Sequence, residues 1–208
     1  MRVENEMDRA RHISEALVVA MTSLSLACSA NGQGTLIYDQ QSSTESDLGG
    51  QGFAIQSFQP MGQSFTPSLD GVGFIRLHLV RGTFNQGAVI FLNLMTDSIT
   101  GAVLAATSPV TLPVGFIGTA DFLFPNQIPL TPGTTYYFRP IIQSGGPFSL
   151  SGDTFRYPGG SAFLNGNAVS EDLWFREGII VPEPSTAALL LIGGSAVAYV
   201  RRKSKSKS

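Results

Sequence analysis

The chain has 208 residues, 43% hydrophobic and 13% charged, with 23 Gly, 12 Pro and 14 Phe; a charged fraction about half the usual one, with so many turn residues, suits a β-protein better than a helix bundle. The net charge of −2 hides an asymmetry, because residues 31–180 hold ten acids, five arginines and no lysine, whereas all three lysines (Lys203, Lys205, Lys207) close the chain. An acidic body lacks the basic patch that phosphate contacts require, which excludes nucleic acid as a partner.

The first 30 residues read as a targeting segment. Arg2, Arg9 and Arg11 precede an apolar run from Ala16 to Ala27, and the small residues Cys28, Ser29 and Ala30 follow. A run of that length is too short to span a bilayer, and the order of parts is that of a secretory signal peptide, a helix cleaved near Ala30. Glu4, Glu6, Asp8 and Glu15 offset the arginines, which makes Met7 an alternative start. Two other readings stand beside this one: lipidation at Cys28, against which Ser25 occupies a position that favours a large aliphatic residue, and a helix of the protein core. Cys28 is the only cysteine. The remaining body of about 150 residues then has no thiol and no disulfide, and is long enough to bury a core without staples.

Residues 31–180 are short apolar runs punctuated by turn residues. Val72 to Arg81 alternates, with Ile75, Leu77 and Leu79 on one face and Arg76 and His78 on the other, as in a half-buried strand. Ala88 to Thr96 is apolar on both parities, as a central strand is. Further strands are expected over Val103–Leu112, Phe116–Phe124, Thr134–Ile142 and Leu173–Ile179. Thr131-Pro132-Gly133-Thr134 carries the signature of a type II turn, and Asp70-Gly71 and Gly101 mark others. No stretch of the body keeps helical apolar spacing beyond two turns. The expected fold is all-β: a single antiparallel β-sandwich of jelly-roll type, flanked by the N-terminal signal helix and a C-terminal transmembrane helix.

The end of the chain, residues 181–208, has three parts in order. Val181-Pro182-Glu183-Pro184 is stiff and extended, because each proline fixes its own φ and restrains its predecessor. Residues 186–200 are apolar and uncharged, a helix of about 22 Å against a hydrocarbon core of ~30 Å, which Tyr199 and snorkelling Arg201 and Arg202 can extend. The basic run Arg201, Arg202, Lys203, Lys205 and Lys207 would stay cytoplasmic.

The motif Pro182-Glu183-Pro184-Ser185, the short apolar span and Arg201-Arg202 together resemble the PEP-CTERM sorting signal of exported bacterial proteins. The resemblance implies recognition of Pro182, Glu183 and Pro184 by an exosortase, a membrane cysteine protease-transpeptidase. It implies a stop-transfer anchor at Arg201, Arg202 and Lys203, a membrane-held intermediate, and delivery to the cell surface or extracellular matrix. A plain tail anchor is the alternative. The body is similar to a recurrent jelly-roll module of bacterial surface proteins, through Gly62-Gln63-Ser64-Phe65-Thr66, the strand at Val72, Gly101 to Leu104, Leu130 to Phe138, and Asp172-Leu173-Trp174-Phe175-Arg176. That resemblance implies a shape like that of carbohydrate-binding domains, with extracellular polysaccharide as a partner.

Catalytic groupings are sparse. His78 is the only histidine beyond the leader, no G-x-S-x-G is present, and one histidine without cysteine argues against a zinc site. Asp39, Asp47, Asp121, Asp153, Glu171 and Asp172 fall in or near expected loops. Asp153 and Asp172 are the candidates for a structural calcium, against the plainer reading of solvated acids and no cofactor. Trp174 has two readings. Alternation places Leu173 and Phe175 on one face and Trp174 on the other, available to stack on a sugar; otherwise it packs under a loop or the N-terminal segment. The sequence therefore describes an exported, non-catalytic β-sandwich, with a carbohydrate-binding module as the alternative and a small secreted hydrolase behind both.

Overall fold

A computed structural model of the protein describes residues 34–80 and 86–182. The expected signal peptide with its cleavage at Ala30, the residues from Glu183 onward and the helix expected over 186–200 lie outside the described residues. Within them the structure is strands and turns, with no helix. The strands are β1 (Thr35–Gln41), β2 (Gln51–Ala54), β3 (Gly62–Phe65), β4 (Gly71–Val80), β5 (Ala88–Met95), β6 (Val103–Ala106), β7 (Val110–Leu112), β8 (Gly118–Pro129), β9 (Tyr136–Gly145), β10 (Ser149–Asp153), β11 (Ala162–Leu164), β12 (Asn167–Ala168), β13 (Asp172–Leu173) and β14 (Phe175–Val181).

They form two seven-stranded antiparallel sheets. In the first, β4 is central: β8 pairs along one edge, β14 and β10 share the other, and β1, β2 and β13 complete the sheet. In the second, β5 lies between β9 and the β6/β7 pair, and β3, β11 and β12 continue beyond β9. The chain crosses from sheet to sheet at β3–β4–β5 and again at β8–β9–β10–β11, as in a jelly-roll sandwich.

Alternation explains which side chains meet between the sheets. Ile75, Leu77 and Leu79 of β4 point inward, as do Ile90, Leu92 and Leu94 of β5, and all six are fully buried. Phe65, Phe138, Tyr157 and Phe175 join the two layers, with the Tyr157 and Phe175 rings edge-to-face at 5.1 Å.

The structure refines several expected strands. Val103–Leu112 divides into β6 and β7, because Thr107 turns its hydroxyl to accept a bond from the Leu92 N–H at 2.9 Å. Phe116–Phe124 begins later and runs on to Pro129. Leu173–Ile179 divides at Trp174. The Thr131–Thr134 turn is type II: Gly133 has φ +78°, and the Thr134 N–H donates to the Thr131 carbonyl at 3.1 Å.

β1 and β14 lie side by side, so the two ends of the sandwich leave from neighbouring strands. Gly178 makes that approach feasible, since a Cβ there would stand 1.9 Å from the Ile37 carbonyl oxygen. Gly178→Ala is expected to displace β1 and destabilise the domain by more than the ~1 kcal/mol of an average substitution; thermal unfolding of the variant checks this.

Candidate functional site

The outward face of the first sheet carries a charged cluster. Arg76 of β4 has Arg176 of β14 opposite it on one side and Asp121 of β8 on the other. Two arginines side by side repel, and two acids offset this. Asp121 takes a forked pair of bonds from Arg76, 2.6 Å from Nε and 2.8 Å from Nη2. Glu45, from the loop after β1, accepts from Nη1 of both arginines. Tyr38 accepts from Arg76 at 2.5 Å, and the Arg176 guanidinium sits over its ring, 3.5 Å from ring centroid to Cζ. The bond to Asp121 raises the Arg76 pKa above its ordinary value. Asp39 and Asp121, expected near loops, are strand residues. All four charges in this cluster are committed to one another.

Trp174 follows the second of its two readings, packing under a loop. Its parity is the expected one, pointing away from the core, but that side is roofed. The segment from Ser42 to Leu48 covers the indole, which is fully buried. Nε1 donates to the carbonyls of Asp47 (2.9 Å) and Thr44 (3.2 Å). Ser42 clamps both flanks, its hydroxyl donating to Leu173 O at 2.8 Å and accepting from the Phe175 N–H at 3.0 Å. With this roof in place no ring face is open to a sugar. His78 shares the compartment, 6.0 Å from the indole centroid, and is 5% exposed rather than solvated. Burial lowers its pKa, the Leu48 carbonyl opposes this in part, and Nδ1 has no partner.

The calcium candidates are register partners across β10 and β13. Their oxygens are taken by protein donors. Asp172 accepts from Gln63 Nε2 at 2.9 Å and from the Tyr157 N–H at 2.8 Å; Asp153 accepts from the N–H groups of Thr154 (2.7 Å) and Gly50 (3.2 Å). No group of three or more metal-ligating side chains occurs among the described residues. On the inward side Glu177 is fully buried, and burial followed by the charge of Asp39 pushes its pKa up to about 9. For Asp39 burial acts upward, but bonds from Ser68, Leu69 and Gln40 hold it net below its ordinary value. Tyr157 is pushed up to about 12, mainly by burial. Its hydroxyl donates to Gln40 Oε1 at 3.1 Å and accepts from the Thr66 N–H at 3.3 Å.

On β9, Tyr136 is core and the adjacent Tyr137 stacks edge-on against Phe163 on the outer face of the second sheet. Arg139 follows on that same outer parity. It borders a groove of about 450 Å³ lined by Ile55, Gln56, Gln59, Pro60, Ile141 and Ile142. Gln59 Nε2 donates to the Pro140 carbonyl at 2.9 Å and Gln56 Nε2 to the Gly146 carbonyl at 3.4 Å, which pins the β2–β3 connection along β9. The Arg139 Nε–H is buried without an acceptor. Sequence reasoning passed over this groove. The only hint was an arginine between two apolar residues on the outward parity of β9.

The remaining predicted site is the end of β14. Val181 is 39% exposed, Pro182 is exposed, and β14 ends at Val181, just before the first proline. Proline has no N–H to continue a ladder, which accounts for the strand ending there. Residues 181–204 match the PEP-CTERM protein-sorting motif. No curated protein matches the chain. The PEP-CTERM match supports an exported protein that is an exosortase substrate, makes exosortase its processing partner, and implies passage through the membrane before sorting. The motif begins within the last residue of β14, so no spacer separates the sandwich from Pro182. Glu183, Pro184, Arg201, Arg202 and Lys203 belong to the same PEP-CTERM segment and lie outside the described residues.

Proposed function

We propose that the sandwich is a non-catalytic domain displayed on the cell envelope or in the extracellular matrix, delivered there by its PEP-CTERM tail. The observation that carries this reading is the match of residues 181–204, joined directly to the last strand of the folded domain. In this reading 186–200 forms a membrane helix that holds the precursor, Arg201, Arg202 and Lys203 stop its transfer, and exosortase acts near Pro182-Glu183-Pro184. The domain works without a cofactor. The interior supports a structural rather than catalytic role: His78 is roofed over, Glu177 is sealed in the core, and the paired acids are occupied by backbone and side-chain donors. A polysaccharide-binding role would have to use a surface other than Trp174. Expression in a host that carries an exosortase, with and without Glu183→Ala, tests delivery. Wild type is expected at the cell surface or in the medium, and the variant in the membrane fraction; identical fractionation of the two would contradict the proposal.

A further inference from the structure

We propose that the groove beside Arg139 binds an acidic sugar, by its carboxylate, on the outer face of the second sheet. This goes beyond the display role and does not depend on how the tail is processed. Three features converge on that ligand chemistry. First, Arg76 and Arg176 are both paired with acids, whereas Arg139 has no acid partner among the described residues. Its Nε–H is buried with no acceptor, so a carboxylate in the groove would be met end-on by the two terminal amino groups rather than through Nε. A planar guanidinium fork fits a carboxylate. Second, Arg139 is the one charged residue among those lining the groove, so a cation is placed at its rim although the body carries twice as many acids as arginines. Third, Ile55, Pro60, Ile141 and Ile142 supply an apolar floor, and Gln56 and Gln59 supply amides at its edge. At about 450 Å³ the groove falls within the size range of small-ligand sites. A uronate ring offers all three complements at once: a carboxylate for Arg139, a C–H face for the floor and hydroxyls for the amides.

Calorimetric titration of the full chain with trigalacturonate, at low ionic strength, tests this. Saturable binding is expected, at least tenfold weaker in Arg139→Gln, intermediate in Arg139→Lys, and unchanged in Arg156→Gln, an exposed arginine elsewhere. The methyl-esterified trimer, which keeps the ring and hydroxyls but loses the charge, is expected not to bind wild type. That comparison uses no variant and so stands even if Arg139→Gln fails to fold. Equal affinity of Arg139→Gln, equal binding of the ester, or no binding of the acid by wild type would each overturn the proposal and leave a groove filled by water alone.

Discussion

Trp174→Ala is expected to destabilise the domain by about 3–5 kcal/mol, the usual cost of deleting a large buried aromatic side chain. The indole is buried beside His78 and under the Ser42–Leu48 segment, and its removal also leaves the carbonyls of Thr44 and Asp47 without a donor. For a domain of this size that corresponds to a fall in Tm of roughly 10 °C. Trp174→Phe keeps most of the burial and loses only the Nε1 bonds, so a cost of about 1–2 kcal/mol is expected. Trp174 is the only tryptophan in the chain, so wild-type emission should be blue-shifted and insensitive to iodide. An exposed, sugar-stacking Trp174 would give the reverse: quenched emission and an alanine variant with unchanged Tm.

Glu177 makes stability depend on pH. Its folded pKa, about 9, lies above the ordinary 4.5. Between these values the folded state holds a proton that the unfolded chain has released, so stability falls as pH rises, by up to about 1.4 kcal/mol per unit. Other groups overlap this window only at its lower end or lie outside it. His78 is lowered, so it adds stability as pH rises only up to its ordinary 6.5. Asp39 is lowered from 3.8 and matters in acid, and Tyr157 titrates near 12. From pH 7 to pH 8.5 the slope is therefore chiefly that of Glu177. Glu177→Gln is expected to flatten it and to be more stable than wild type by a margin that widens with pH. Parallel pH–stability curves for the two proteins, from denaturant unfolding, would show that Glu177 ionises as freely folded as unfolded.

The sequence was a good guide where the determinants are local. Alternation located β4, a run apolar on both parities located β5, and the Pro-Gly pair specified the type II turn at Thr131–Thr134. Parity also gave the right facing for Trp174 and His78. It failed on their exposure, because the roof over them comes from Ser42–Leu48, some 130 residues away from Trp174 in the chain. No periodicity in a strand records what a distant loop will cover. The same limit hid the Arg139 groove, whose walls come from the β2–β3 connection and from β9. It hid Glu177 as well, a charged residue of β14 whose surroundings include Asp39 and Gln40 of the neighbouring strand β1. The sorting tail was legible because its recognition lies in consecutive residues that need no tertiary partner.

The central claim is that this sandwich is an exosortase substrate, and intact-mass measurement of the protein recovered from an exosortase-bearing host tests it most directly. Wild type is expected to have lost the apolar and basic residues beyond Pro184, giving a product without lysine, while Glu183→Ala keeps the tail. Wild type recovered with its tail intact, or wild type and variant trimmed to the same C-terminus, would contradict it.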